Sequence, residues 1–290
     1  MEECEQALGR VRAVLEAPFC VAGQTLALTA SLGVTLYPDD ESEPDVLLRH
    51  THQAMYAAKQ AGGRCYHWFD ADHERRARVH RKLLDRVEAG LAAGEFRLHY
   101  QPKVDMRGGA VIGVEALIRW QNPEQGLIPP ARFMPAVETS ALALAIGRWV
   151  LGEALRQMSV WMEQGLRVPV SVNVSGRHLQ QPDFVAGLQA ALAAHPAVPP
   201  EWLELEILET AALDDLAAIS RLIADCRGLG VRFALDDFGT GYSSLTYLKH
   251  LPVQVLKIDQ SFVRDLLVDP DALAIVEGVI GLSAVILLPK

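Results

Sequence analysis

Polar side chains at the ends of several predicted strands could bind a divalent cation or move a proton. Their positions are Glu115, Asn173, Glu206, Asp236, Asp237 and Lys257. Carboxylate and amide oxygens without sulfur or imidazole suit hard cations such as Mg²⁺ or Mn²⁺. Two adjacent aspartates also repel each other unless a cation lies beside them. The residue types therefore predict an all-oxygen metal site.

The elements that would position these side chains alternate between strand and helix. Strands are predicted over Phe96–Val104, Val111–Trp120, Val168–Val174, Leu203–Leu208, Val231–Asp237 and Val253–Ile258. Helices are predicted over Ile146–Gln164, Pro182–Ala194, Asp214–Leu229 and Asp271–Ser283. Such alternation favours a mostly parallel sheet wrapped by helices, in a barrel or a doubly wound fold. Functional groups at many strand ends favour the (β/α) barrel, and no G-x-G-x-x-G supports a dinucleotide-binding fold.

Composition narrows the class of protein and of partner. The 290 residues include 27 basic and 36 acidic ones, giving a net charge of −9, so passive attraction of nucleic acid polymers or anionic lipid is not expected. Four cysteines without a C-x-x-C pair are typical of a reduced, cytoplasmic protein. Neither a signal peptide nor an apolar run of the ~20 residues that span a bilayer is present, so no membrane segment is predicted.

The first seventy residues are predicted to form a separate, small α/β unit. Helices are expected over Glu5–Leu15 and Asp45–Ala61, and strands over Leu26–Tyr37 and Arg64–Phe69. Residues 71–82 are highly charged and predict an exposed helical linker. The expected organisation is therefore a small domain over residues 1–70, this linker, and a larger domain over residues 83–290.

A family resemblance rests on several motifs of the larger domain. Glu115-Ala116-Leu117, within Val114–Trp120, resembles the motif that names the EAL family of cyclic di-GMP phosphodiesterases. Further matching segments are Tyr100-Gln101-Pro102, Asn173-Val174-Ser175, Glu206–Glu209, Asp236–Leu245 and Lys257-Ile258-Asp259. The resemblance implies a TIM-like barrel in a bacterial signalling protein that hydrolyses cyclic di-GMP to linear pGpG.

The resemblance also implies a metal-binding role for each matching acid. A first Mg²⁺ or Mn²⁺ ion is implied at Glu115, Asn173, Glu206 and Asp236, and a second at Asp236 and Asp237. Two cations side by side stabilise the charge of an in-line phosphoryl displacement. Such ions would also explain how an acidic protein holds an anionic dinucleotide.

Other roles are implied for residues around the metals. Lys257 would orient or activate the attacking water, acting in catalysis with Asp237 and Glu115. Gln101 and Arg119 would contact the dinucleotide, Arg119 at a phosphate. The remaining implied features are loop stabilisation by Glu209 and a homodimer contact through the loop Phe238–Leu245 and the helix that follows.

The N-terminal unit resembles the last part of a GGDEF domain, the diguanylate cyclase family. The matching segments are Ser31–Thr35 and Ala54–Gly62. The half that would carry the Gly-Gly-Asp/Glu-Glu-Phe turn is not in this sequence, and Thr51-His52-Gln53 replaces the usual Ala-Asp. No diguanylate cyclase activity is therefore predicted.

The C-terminal part departs from the family. There, the helix that Asp271–Ser283 resembles leads to two further strands, the first with a metal-site glutamate in an Ala-Glu-Gly-Val-Glu segment. Glu277 lies in a superficially similar segment, but inside the predicted helix and too soon after Lys257 for the next strand. We therefore expect a barrel truncated at its C-terminal end, with weak or absent turnover.

Three readings of the function remain open at this point. The first is a metal-dependent cyclic di-GMP phosphodiesterase, which the metal-ligand motifs favour. The second is a module that binds the dinucleotide or a partner protein without turnover, which the missing acid favours. The third is an inactive product of a longer gene.

Overall fold

A computed structural model describes residues 2–21, 24–63, 65–210, 215–239 and 251–286 of the chain. The chain divides into a first unit, Met1–Lys82, and a second unit, Leu83–Lys290. The helix Ala71–Ala92 runs across this boundary and contains the charged segment predicted to be a helical linker. No described helix has the length and apolar character that a bilayer span requires.

The first unit contains short strands and long helices. Its elements are α1 (Glu2–Glu16), β1 (Phe19–Val21), β2 (Gln24–Leu26), β3 (Leu32–Val34), α2 (Pro44–Gln60) and β4 (Tyr66–Trp68), followed by the start of α3 (Ala71–Ala92). β1 pairs antiparallel with β2, and β3 pairs parallel with β4. The predicted strand Leu26–Tyr37 is wrong as one continuous element. Leu26 ends β2, Leu32–Val34 forms β3 in a different sheet, and residues 27–31 and 35–37 belong to neither strand.

The second unit alternates strands and helices as its sequence predicts. The strands are β5 (Phe96–Val104), β6 (Val111–Asn122), β7 (Gly126–Ile128), β8 (Val170–Asn173), β9 (Leu203–Leu208), β10 (Arg232–Phe238) and β11 (Val255–Ile258). The helices after α3 are α4 (Met134–Glu138), α5 (Leu142–Glu163), α6 (Gly176–Leu179), α7 (Phe184–Ala193), α8 (Leu216–Gly228), α9 (Gln260–Arg264) and α10 (Pro270–Ile286). Short 3₁₀ turns lie at Pro130–Arg132 and Pro200–Trp202.

One sheet organises the second unit. Its order is β5-β6-β8-β9-β10-β11, with β7 added beside β6. β6, β8, β9, β10 and β11 run parallel, whereas β5 and β7 run antiparallel to β6. Because the carboxyl ends of parallel strands meet at one edge, polar residues near those ends are brought together.

Alternation along the strands separates the apolar core from a polar interior face. In β9, Leu205 and Ile207 are fully buried in the hydrophobic core that includes residues of α5. Glu204 and Glu206 point to the opposite face and are also buried, at 6% and 1% exposure. Two acids that cannot reach bulk water need cationic partners inside the fold. The alternation in β9 therefore places Glu204 and Glu206 on the polar face of the sheet, where the candidate site lies.

Candidate functional site

Three acids from three parallel strands meet on the polar face of the sheet. They are Glu115 of β6, Glu206 of β9 and Asp236 of β10, and one oxygen of each lies within 4.8 Å of the others. Pairing of β8 between β6 and β9, and of β9 with β10, fixes their relative heights. Such a set of carboxylate oxygens can hold a hard divalent cation. We refer to these three residues as the acid triad.

Lys257 of β11 places its ammonium group among the acid triad. Its Nζ atom lies 2.5 Å from Glu206 Oε2, 2.8 Å from Asp236 Oδ2 and 3.3 Å from Glu115 Oε2. Burial alone lowers the pKa of this lysine, but hydrogen bonds to Asp236 and Glu206 outweigh burial and raise the pKa above its usual value. The side chain therefore stays charged and balances part of the negative charge of the triad.

Glu206 is the most deeply buried member of the triad. Burial raises its pKa to about 7, although the hydrogen bond from Lys257 acts in the opposite direction. Among the described residues, Glu206 Oε1 has no hydrogen-bond donor. A buried carboxylate oxygen without a donor carries a desolvation cost that a bound cation would offset. This oxygen is therefore a reason to expect a ligand at the site.

Cation binding is expected to release a proton near neutral pH. A carboxyl group with a pKa of about 7 is partly protonated there, and a cation requires its ionised form. We expect Mn²⁺ affinity to rise about tenfold per pH unit below pH 7 and to level off above about pH 8. Isothermal titration calorimetry in buffers of different ionisation enthalpy, at several pH values, measures the released proton.

Without a cation the same shift makes stability fall as pH rises. The folded-state pKa of Glu206 lies above the unfolded value of 4.5, so the folded protein binds the proton more tightly. Its stabilising effect is complete below pH 4.5 and disappears as pH rises through about 7. The proton release on Mn²⁺ binding has its own control, the Glu206→Gln variant. If this variant released the same number of protons, Glu206 would not be the group that loses the proton.

Asn173 closes one side of the acid triad. It ends β8, and its Nδ2 atom donates to Glu115 Oε1 over 2.8 Å. This orientation leaves the amide oxygen available as a further cation ligand. The structure thus gathers Glu115, Asn173, Glu206 and Asp236, the four residues for which the resemblance implies a first metal.

Asp237 lies beside this group and has a different environment. Its backbone has a φ of +55°, in the left-handed region that aspartate tolerates better than most residues. Burial raises the pKa of Asp237, and the negative charges of Asp236 and Asp259 raise it further. Asp237 is exposed to solvent and is not a member of the acid triad.

The residues implied in ligand contact lie around the same face. Gln101 pairs directly with Glu115 across β5 and β6, and it is exposed to solvent. Arg119 follows Glu115 by four residues, and its Nη1 atom donates to the carbonyl of Ile118 over 2.9 Å. Because alternate residues of a strand share a face, Arg119 lies on the same face as Glu115.

Glu209 holds the chain that follows β10. It is 1% exposed, and its Oε2 atom accepts a hydrogen bond from the Gly239 backbone N–H over 3.1 Å. This contact is where the resemblance implies loop stabilisation. Residues 240–245 of the implied dimer loop lie outside the described residues.

A largely apolar pocket of about 330 Å³ opens next to the acid triad. Asn173 and Glu206 contribute its polar edge, while residues of β6, α4 and α5 form apolar walls. Small-ligand sites occupy about 300–1,000 Å³ and combine apolar walls with a few polar groups. The pocket therefore has the size and the lining of a small-ligand site.

Sequence reasoning overlooked Lys103. Lys103 of β5 contacts Ser171 and Glu204 on the same face as the acid triad. Neither a motif nor spacing marked it; the available signal was a lysine two residues after Gln101 on a predicted strand, which places it on the same face.

Comparison with known protein families shows to which family the chain belongs. A family model described as "EAL domain" matches residues 84–288. The chain belongs to the EAL family. A second model, "Diguanylate cyclase, GGDEF domain", matches residues 1–65, so a GGDEF region precedes the EAL domain. Both predicted resemblances are thereby confirmed.

Curated relatives are similar along nearly the whole chain. The bifunctional diguanylate cyclase/cyclic di-GMP phosphodiesterase MucR of Pseudomonas aeruginosa is 38% identical over 92% of this chain and 39% of its own length. The cyclic di-GMP phosphodiesterase PdeR of Escherichia coli is 33% identical over 96% of this chain and 42% of its own. The chain thus spans about two fifths of the length of these relatives.

Solved structures agree with the fold. The PaMucR phosphodiesterase in complex with c-di-GMP matches 71% of this chain and 83% of its own, with 41% identity and a TM-score of 0.68. The FimX EAL domain from Pseudomonas aeruginosa bound to c-di-GMP matches 69% of this chain and 79% of its own, with 32% identity and a TM-score of 0.62. The EAL domain of this chain therefore has the predicted TIM-barrel-like α/β fold.

Proposed function

We propose that the EAL domain of this chain hydrolyses cyclic di-GMP to linear pGpG in a metal-dependent reaction. One observation carries the proposal: carboxylates of Glu115, Glu206 and Asp236, from three parallel strands, meet within 4.8 Å around the Lys257 ammonium. Relatives named as cyclic di-GMP phosphodiesterases supply the substrate class.

The donor set fits Mg²⁺ or Mn²⁺. The acid triad offers hard oxygen ligands, the Asn173 amide oxygen is free to join them, and Glu206 has a buried oxygen without a donor among the described residues. Asp236 and Asp237 would hold a second ion. Bound cations would polarise the scissile phosphate and neutralise charge in the transition state.

The chain's own residues would bind and orient the substrate. We assign the apolar pocket beside Asn173 to one nucleoside of the dinucleotide. Arg119 would bind a phosphate with its guanidinium group, and Gln101 would contact the ligand from the neighbouring strand. Lys257, charged and already hydrogen-bonded within the triad, would orient the attacking water. Glu209 would keep the chain after Asp237 in place.

Replacing Glu115 by glutamine is expected to abolish hydrolysis while leaving the fold intact. The substitution removes a negative ligand oxygen and the charge that pairs with Lys257. Loss of an outer partner already costs about 10–100-fold, so loss of a ligand should cost at least 100-fold. Formation of pGpG from cyclic di-GMP with Mn²⁺, followed by chromatography, measures the effect.

A matched control is Glu277→Gln, which changes an exposed glutamate of α10. It should leave turnover unchanged, because Glu277 is not a member of the acid triad.

We expect wild-type turnover below the ~1–10³ s⁻¹ typical of enzymes, because only three acids gather among the described residues. Tight binding of cyclic di-GMP with no pGpG at all would replace the proposal by the binding module.

Two broader features are proposed with this function. We propose that residues 1–70 form a GGDEF-derived domain joined to the EAL domain by the helical segment 71–82. We also propose homodimerisation through the chain that follows Asp237. Analytical ultracentrifugation, with and without cyclic di-GMP, tests the dimer, and a monomer under both conditions would exclude it.

A further inference from the structure

A second charged cluster lies inside the EAL domain, next to the acid triad. We define it as the inner cluster: Lys103 of β5, Ser171 of β8 and Glu204 of β9. Lys103 Nζ lies 2.7 Å from Glu204 Oε1 and also contacts the Ser171 hydroxyl, which donates to the same Glu204 oxygen over 2.7 Å. Ser171 and the Glu204 side chain are 1% and 8% exposed.

The inner cluster adjoins the candidate metal ligands through the strands. Ser171 precedes Asn173 by two residues on β8, and Glu204 precedes Glu206 by two on β9. Residues two apart on a strand share a face, about 6–7 Å along its axis. The inner cluster therefore forms the next row of side chains toward the amino ends of these strands.

Glu206 lies between two lysines, and each lysine lies nearest to a different oxygen of its carboxylate. Lys257 contacts Oε2 at 2.5 Å, and Lys103 lies 3.7 Å from Oε1. Oε1 is the oxygen that has no hydrogen-bond donor among the described residues. The Lys103 ammonium thus attracts this oxygen without forming a direct hydrogen bond. The two ammonium groups therefore lie nearest to different oxygens of the Glu206 carboxylate and together restrict its orientation.

We propose that Lys103 is a positioning residue that orients Glu206 toward the cation of the EAL site. The inference rests on the proposed function and names a residue that supports its metal centre. Lys103 also separates the charges of Glu204 and Glu206, which would otherwise repel each other in the interior. Without the ammonium, Glu206 loses the attraction that fixes its carboxylate, and cation affinity falls.

The proposal competes with a purely structural role, in which Lys103 only neutralises Glu204. Removing one partner of a buried pair destabilises a protein, whereas replacing both is often neutral. The double variant Lys103→Met with Glu204→Gln removes that pair as a unit, so it preserves folding better than Lys103→Met alone. Glu206 still loses the Lys103 ammonium in the double variant. Weaker Mn²⁺ binding by the double variant would therefore indicate the positioning role, and unchanged Mn²⁺ binding the structural role.

The experiment measures Mn²⁺ binding by isothermal titration calorimetry without nucleotide, on the full chain. Loss of outer partners of metal ligands costs about 10–100-fold in affinity, so Lys103→Met and the double variant should both bind Mn²⁺ about 10–100-fold more weakly. Lys103→Arg should recover most of the affinity because it retains the charge. Lys82→Met, at an exposed helix position, should bind like the wild type.

Each outcome decides one question. If wild-type protein binds Mn²⁺ and the double variant binds it equally well, Lys103 has only the structural role and the inference is overturned. If the wild type binds no Mn²⁺, the metal centre of the proposed function fails, and the inference fails with it. A second readout is the Mn²⁺ concentration for half-maximal hydrolysis, which should rise in the double variant while the KM for cyclic di-GMP stays constant.

Discussion

Replacing Lys257 by methionine should destabilise the cation-free EAL domain and nearly abolish hydrolysis. The ammonium contacts all three acids at 2.5–3.3 Å, and the Glu206 side chain is fully buried. Removing one partner of a buried ionic cluster costs about 3–5 kcal/mol, and the 23% exposure of Lys257 favours the lower value, about 3 kcal/mol. Loss of a group that acts on the attacking water lowers turnover by about 10²–10⁴-fold.

Mn²⁺ should restore most of the lost stability but not the activity. A divalent cation replaces the missing positive charge among the acids, whereas methionine cannot orient water. Thermal unfolding with and without Mn²⁺, together with pGpG formation, measures both effects. Lys82→Met serves as the surface control. Equal unfolding temperatures for Lys257→Met and wild type without metal would show that the ammonium does not stabilise the acid triad.

Replacing Gly33 by alanine should disrupt the first unit. A Cβ atom at this position would lie 1.8 Å from the Thr51 carbonyl oxygen and 2.4 Å from the Met55 backbone nitrogen. Both atoms belong to the backbone of α2, so no side-chain rotation relieves the overlap, and β3 must separate from the helix. Overpacking usually costs about 1–3 kcal/mol, and a backbone clash should exceed that range.

Hydrogen exchange of the α2 amides measures this effect, because α2 packs on β3. Protection of residues 44–60 should fall sharply in Gly33→Ala. The matched control is Gly9→Ala in α1, where the added Cβ would meet no atom within 4 Å. That change should stabilise the helix by up to about 1 kcal/mol through its intrinsic propensity. Unchanged α2 protection in Gly33→Ala would refute the packing argument.

The strands of the second unit were predictable because successive residues of a strand point to opposite faces of the sheet. Alternation in Leu203–Leu208 predicts one face for Glu204 and Glu206 and the other for Leu205 and Ile207, and the structure shows this separation. The strand limits Phe96–Val104 and Leu203–Leu208 agree with prediction. Sequence periodicity therefore indicates which side chains share a face of the sheet.

Pairing between distant strands was less accessible to sequence reasoning. The antiparallel direction of β5 and the contact of Lys103 with Glu204, 101 residues away, depend on strand order rather than on local pattern. Likewise, a continuous β-like run over Leu26–Tyr37 does not reveal that Leu26 and Leu32–Val34 pair with different strands. Asp237 shows a further limit, because its place beside Asp236 in the sequence reveals neither its left-handed backbone nor its position outside the acid triad.

The long sequence separations within the acid triad determine when the site forms during folding. The hairpin of β5 and β6 joins neighbouring segments, whereas Lys257 meets Glu206 across 51 residues and Glu115 across 142. Local contacts form early, and distant ones form late because closing long loops costs entropy. The acids of β6, β9 and β10 therefore meet Lys257 only after β11 has docked, and a nascent or partly folded chain has no complete cation site.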